Sequence, residues 1–323
     1  MRQITLAFVL ATCILSGCKK EKNKNSNCVV PEIVPFQAYS FPVWHPNGQI
    51  FGFNYTPLSG INANGTAPCI WYSYLADPDS TGFYIMTRSG SGLKRITDFN
   101  LFAPAWSPNG NWLAFNVGGS IFKMRYTGSD FDTANIIKLT ELKDDACFNP
   151  SWSVNGDTIY FDSKKDAPAG TGFYSIWKMA NDGTGKTRIT QSIGIGDTRY
   201  PFEGSNNKIY FTKYVSNNAE IFSMDKNGSN QIQFSNNGFS VEHIKHYRGK
   251  IYFEANGIGV VSIAGNKGIK LISPAVTYDI SSSGEIIYSK MEYDIMKYNK
   301  QIGTLWIMNE DGTNNRQLTF NNF

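Results

Sequence analysis

Short apolar or β-branched runs, each closed by a turn signal, recur along most of this chain. Residues 149–190 show the pattern most plainly. Asn149-Pro150-Ser151-Trp152 ends at the turn Ser153-Val154-Asn155-Gly156, and Thr158-Ile159-Tyr160-Phe161 follows at once. Ser175-Ile176-Trp177-Lys178-Met179 comes next, then Gly183, then Thr187-Arg188-Ile189-Thr190. Four such runs separated by turn residues predict the four antiparallel strands of one small sheet.

The unit recurs six times. Phe41-Pro42-Val43-Trp44-His45-Pro46-Asn47-Gly48 and Ala103-Pro104-Ala105-Trp106-Ser107-Pro108-Asn109-Gly110 open the first two copies, and looser versions begin near Tyr200, Val241 and Tyr278. Ser-Pro-Asn-Gly fits a type I turn with Pro second and Gly fourth, so strands one and two of each copy form a tight hairpin. The second runs, such as Trp112-Leu113-Ala114-Phe115 and Ile209-Tyr210-Phe211, are apolar on both alternations, as expected of a strand covered on both faces. The fourth runs carry charge and Thr, which protects an outer edge from pairing with another chain. From Phe41 to Phe323 is 283 residues, or about 47 per copy, close to the period of roughly 40–45 for a propeller blade. The expected fold is all-β: a six-bladed β-propeller of four-stranded antiparallel blades over residues 36–323.

These repeats resemble the TolB-type, WD40-like propellers, whose blades carry an aromatic residue, a Ser-Pro-Asp-Gly turn, an apolar strand, an Asp-Gly turn and Leu-Thr. Only Cys18 to Ser40 are expected between an export signal and the first repeat, whereas TolB has a separate α/β domain before its propeller. The TolB role and its peptidoglycan-associated lipoprotein partner therefore cannot simply be carried over. Propellers of the prolyl oligopeptidases also look similar, but no hydrolase domain is expected here.

Residues 1–17 read as an export signal: a basic start at Arg2, an apolar core from Ile4 to Ile14, and small residues before Cys18. Leu15-Ser16-Gly17-Cys18 resembles the lipobox of bacterial lipoproteins, which implies lipidation of Cys18. Residues 18–35 form the lipidated start and a polar tether. Of the formal net charge of +4, Arg2 carries one unit and Lys19, Lys20, Lys22 and Lys24 less Glu21 the other three. The folded part is thus close to neutral, which excludes nucleic acid as a partner. The expected location is the bacterial envelope, anchored by lipid, at the outer membrane facing the periplasm, since Lys19-Lys20 differs from the acidic start seen in surface-exported lipoproteins. An oxidising compartment favours one disulfide among Cys28, Cys69 and Cys147, with Cys28–Cys69 the expected pair.

Up-and-down strands place the tight first-to-second and third-to-fourth turns at one end, and the variable connections at the other. The variable end is the expected working face. Its largest feature is a loop over residues 56–81 that carries Trp71, Tyr72 and Tyr74. The inner strands begin at this end, so Asp197, Arg199, Tyr200, Glu242, His243 and Asp279 should ring the channel mouth and bind a polar ligand or a chain terminus.

Chemistry is sparsely signalled. No nucleophile elbow, phosphate loop or His-Glu-x-x-His occurs. The chain has three histidines; His45 sits in a turn, and His243 and His246, three apart on a strand, face opposite ways. The blades also resemble those of oligogalacturonate lyases, but lack that family's set of metal-binding histidines. No catalytic residue, metal or cofactor is expected. The expectation is a monomeric module that binds an envelope protein or a glycan or peptidoglycan component. The alternative is a hydrolase or lyase acting on polysaccharide or peptide with carboxylates at the mouth.

Overall fold

Second strands buried on both faces need a cover on each side, and the molecule supplies it by stacking one sheet on the next. The computed structural model describes residues 38–66, 69–141, 146–167, 172–190, 197–215, 217–255, 257–262, 269–272, 275, 277–290 and 303–319. They form six four-stranded antiparallel sheets and one separate two-stranded hairpin. The inner strands are Tyr39–Trp44, Phe102–Trp106, Cys147–Trp152, Thr198–Glu203, Glu242–Tyr247 and Tyr278–Ile280. Each pairs with the second strand of its own blade, which pairs in turn with the third, and the third with a short outer strand. This is the six-bladed propeller expected from the repeats.

The hydrophobic core divides into six clusters, and each joins two neighbouring blades. Phe83 and Ile85 of the first blade meet Leu113 and Phe115 of the second, for example, while Tyr160 and Ile176 of the third meet Phe211 and Met224 of the fourth. Burying one such large side chain stabilises by about 1.5–3 kcal/mol. No blade can bury these side chains alone, so closure of the ring is itself a packing event.

The seam between last and first blades is made the same way. All four strands of the sixth sheet come from residues 278–317. Ile287, Leu305 and Ile307 of that blade pack on Trp44, Phe51, Phe53 and Met86 of the first. Phe41 N donates to Thr277 Oγ1 at 2.9 Å, Ser282 Oγ donates to Pro46 O at 3.1 Å, and Arg88 pairs with Glu285 at 2.6 Å. An N-terminal contribution from residues 29–37 to this blade lies outside the described residues.

The turn chemistry is as the sequence implied. Gly48, Gly110 and Gly156 each donate their amide at 2.9 Å to the carbonyl three residues back, and each has φ between 68° and 79°, a conformation glycine adopts without penalty. Ser107 and Ser153 cap their turns by accepting the amides of Trp112 and Thr158 at 2.9 Å. His45 replaces that serine. Its Nδ1 accepts the Asn47 amide at 3.1 Å, which leaves Nε2 to donate to Gly110 O at 3.1 Å in the next blade.

Two expectations about connections are revised. Where a loop was expected over residues 56–81, Leu58–Thr66 and Cys69–Ala76 pair as antiparallel strands. The second blade also reverses the length rule. Its second-to-third link is only Gly118-Gly119, and its third-to-fourth link spans 126–136 with a turn of 3-10 helix at Thr133–Asn135. There the side chains of Tyr126 and Phe131 pack on Trp106, so the longer link covers apolar surface.

Candidate functional site

The mouth of the channel is shaped by a fault repeated in the inner strands. Register slips between Ser40 and Val43, Phe102 and Ala105, Phe148 and Ser151, Arg199 and Phe202, and Glu242 and Lys245. Within each slip lies one non-glycine residue in the left-handed region: Phe41, Ala103, Asn149, Tyr200 and His243, with φ between 43° and 53°. Four of them precede a proline, at positions 42, 104, 150 and 201. Proline has no amide to give to a ladder, so a bulge at that point loses little pairing. A non-glycine residue held there costs on the order of 1–3 kcal/mol. The sixth inner strand pairs without a slip.

These five residues ring an axial cavity of about 80 Å³. Phe41 lies 5.8 Å from Phe102 and 6.0 Å from His243 between ring centres, and His243 lies 4.5 Å from Tyr200. Blades one, two, four and five thus contribute to one aromatic arc at the mouth.

Every carboxylate expected at the mouth is held by a neighbour. Asp197 accepts Tyr174 N at 2.6 Å and Arg199 Nε at 2.8 Å, and the Arg199 guanidinium lies 3.9 Å from the centre of the Tyr174 ring. Glu242 accepts the Tyr200 hydroxyl at 3.1 Å, and burial together with that negative neighbour pushes the phenol's pKa far up. His243 Nδ1 meets Glu254 Oε2 at 2.8 Å, and the His243 carbonyl accepts the Tyr278 hydroxyl at 2.8 Å. Asp279 is buried, accepts Trp44 N at 2.7 Å and lies 3.3 Å from Lys245 Nζ, so it works as part of the seam. Tyr200, Glu242 and His243 are therefore linked to one another, Asp279 is tied to Trp44 and Lys245, and Asp197 and Arg199 form a separate pair.

Trp71, Tyr72 and Tyr74 lie on the second strand of the hairpin, opposite Asn64, Ala63 and Ile61. Cys69 opens that strand. Cys18 and Cys28 lie outside the described residues. Cys147 is a buried thiol 3.6 Å from Ser163 Oγ. Among the described residues no three His, Cys, Asp or Glu side chains are grouped to hold a metal.

The sequence reading missed Asp162. It has no exposed surface, and its Oδ2 accepts Asn149 Nδ2 at 2.7 Å and Tyr200 N at 3.1 Å, tying blade three to blade four. Its Oδ1 has no hydrogen-bond partner. Burial drives its carboxyl up to about 6 against the pull of those two bonds. A general acid has to reach its substrate, and Asp162 does not reach the surface. The available signal was a polar residue after the buried aromatic of the second strand, seen as Asn54, Asn116, Asp162, Thr212, Glu254 and Ser289.

The mouth end also exposes Leu75, Phe102, Tyr214, Val215 and Phe239, each more than a third accessible. At the turn end two open clefts lie between blades, of about 490 Å³ beside His45 and Trp112 and about 530 Å³ beside Arg88 and Arg316.

The chain matches no known family signature and no curated protein by sequence. By structure it is similar to TolB from Acinetobacter baumannii, with TM-score 0.60 and 17% identity over 83% of this chain and 63% of that longer one. This is a TolB-like β-propeller. A structure assigned to TolB from Agrobacterium tumefaciens gives TM-score 0.55 and 16% identity over 73% of this chain and 84% of that one. The propeller domain of the trilobed protease from Pyrococcus furiosus, which has an open velcro topology, gives TM-score 0.51 and 12% identity over 89% and 99%. At such identities the TolB-like likeness is one of fold, and function has to be argued from the site.

Proposed function

We propose that this TolB-like propeller is a binding module of the bacterial envelope, anchored through lipid on Cys18. It grips an envelope protein, or a glycan or peptidoglycan component, with its mouth end. The observation that carries this reading is that five of the nine exposed large apolar side chains among the described residues, Leu75, Phe102, Tyr214, Val215 and Phe239, lie at the mouth end, where Phe102 packs 5.8 Å from Phe41 of the aromatic arc. Exposed apolar side chains gathered at one end support an interaction site there. The carboxylates around it are engaged with neighbours, which supports binding over turnover. The hairpin strand that carries Trp71, Tyr72 and Tyr74 is inserted between the second and third strands of the first blade, on the side of the mouth.

The test is a pull-down of the membrane-anchored protein from its own cells, with Phe102→Asp and Phe239→Asp alongside. Loss of the captured partner in both variants, at unchanged melting temperature, is the expected result. Retention of the partner by both would sink the proposal. Turnover of a polysaccharide or peptide that disappears on Glu242→Gln would establish the hydrolase or lyase alternative in its place. The anchor is tested separately, by labelling of Cys18 with a fatty-acid probe.

A further inference from the structure

We infer that the axial mouth is a receptor for a primary ammonium group, either a lysine side chain or the free N-terminus of a peptide. The inference rests on the reading of the mouth as the binding face. It comes from what stands directly behind the cavity lining. Asp162 bonds to Asn149 and Tyr200, Glu242 to the Tyr200 hydroxyl, Glu254 to His243, and Asp279 lies beside Lys245. Four carboxylates are thus one contact away from lining residues, and Lys245 is the one lysine or arginine in the lining. The Asp197–Arg199 pair beside them cancels internally.

The lining itself has the complementary chemistry. Tyr200 and His243 turn their polar edges to Glu242 and Glu254 and pack on each other at 4.5 Å, and together with Phe41 they give the cavity an aromatic wall. Ring faces attract cations, and the attraction grows when water is partly excluded. Carboxylates lodged in low-dielectric walls strengthen the same field. An ammonium already sits in it: Lys245 Nζ lies 3.3 Å from Asp279. A cavity of about 80 Å³ admits one side-chain head and not a folded element. An anionic or neutral head would meet the same walls without this attraction.

The test is isothermal titration of the full chain with three short peptides: acetyl-Ala-Lys-Ala-amide, acetyl-Ala-norleucine-Ala-amide, and the norleucine peptide with its N-terminus free. One or both ammonium-bearing peptides should bind at least about fivefold more tightly than the neutral one, the scale of a partly desolvated cation–π contact. Which of them does so identifies the source of the ammonium. Lys245→Met should strengthen that binding, because it removes the competing cation, and Glu242→Gln should weaken it. Melting curves of both variants check that they fold. Equal affinity for all three peptides, or weaker binding by a folded Lys245→Met, would overturn the inference. If Phe102→Asp abolishes partner capture while the peptides do not differ, the binding face stands and the ammonium receptor falls.

Discussion

The main-chain amide of Trp44 donates to Oδ2 of Asp279 at 2.7 Å, across the seam where the last blade meets the first. A strand exchanged between blades is one way to close such a ring. Among the described residues this one is closed by side chains, and Asp279 is the only carboxylate that joins the two inner strands. Replacing it with Leu leaves a buried amide unpaired and Lys245 without its partner. Asp279→Leu should lower the unfolding free energy by about 2–3 kcal/mol, the scale of a lost hydrogen bond to a charged group. Asp279→Asn keeps an acceptor for Trp44 and should cost less than half as much. Urea denaturation of the three proteins measures both, and an unchanged midpoint for Asp279→Leu would show that the seam holds without it.

Asp162 gives the fold a pH dependence of known sign. Its carboxyl rises from an ordinary 3.8 to about 6 in the folded protein, so the folded state binds the proton more tightly than the unfolded chain. Its stabilising contribution is complete below the unfolded value and is lost as pH rises through about 6. The loss between acid and neutral pH amounts to roughly 2–3 kcal/mol. Asp162→Asn retains an oxygen to accept the Tyr200 amide and carries no charge. It should therefore be more stable than the wild type at pH 7 and lose that advantage near pH 4. A difference between the two proteins that does not change with pH would contradict this account.

The repeats were legible because a four-stranded blade writes its own turns and its own two-sided strand, and those residues need no distant partner to be read. The mouth was legible in position only. Asp279 and Glu242 were expected at the mouth, but whether a carboxylate faces a ligand or a neighbouring blade depends on contacts such as Trp44 to Asp279, separated by 235 residues. The bulges were written as Phe41-Pro42, Ala103-Pro104, Asn149-Pro150 and Tyr200-Pro201, yet a residue before proline favours extended backbone. The left-handed backbone there coincides with a slip in strand register, which depends on the pairing partner and is not encoded locally. Asp162 was hidden for a related reason: a polar residue inside an apolar strand has no meaning until the amide it serves, in the next blade, is in place.

His45 makes the first turn depend on the second blade. Its ring packs 4.6 Å from Trp106 and 5.2 Å from Tyr126 while Nε2 donates to Gly110 O. A Cβ added at Gly110 would fall 2.5 Å from Nε2, with φ at +72° already unfavourable to a side chain. Gly118, at φ +57°, has nothing within 4 Å of the same atom. Gly118→Ala should cost about 1 kcal/mol, from backbone strain alone. Gly110→Ala should cost at least about 2 kcal/mol, because the imidazole must also move. Thermal melts of the two variants compare them directly, and equal losses would remove His45 from the explanation.

Asn54 tests how neighbouring blades are held in register. Its Nδ2 donates to Leu101 O at 2.7 Å and its Oδ1 accepts Leu101 N at 2.8 Å, so one buried amide replaces a strand partner for the segment entering blade two. Both bonds are needed, because Leu101 is fully buried and no water is at hand for a freed donor or acceptor. Asn54→Leu fits the apolar strand by size but strips both partners, and should cost about 2–4 kcal/mol. Asn54→Asp keeps the acceptor and sets a charge against the Leu101 carbonyl, so its loss should be close to that of Leu at neutral pH and smaller in acid, where the carboxyl regains a proton to donate. Urea midpoints of both variants at pH 7 and pH 4 separate the two bonds. If Asn54→Leu were as stable as the wild type, packing alone would align these blades and the amide bridge would be incidental.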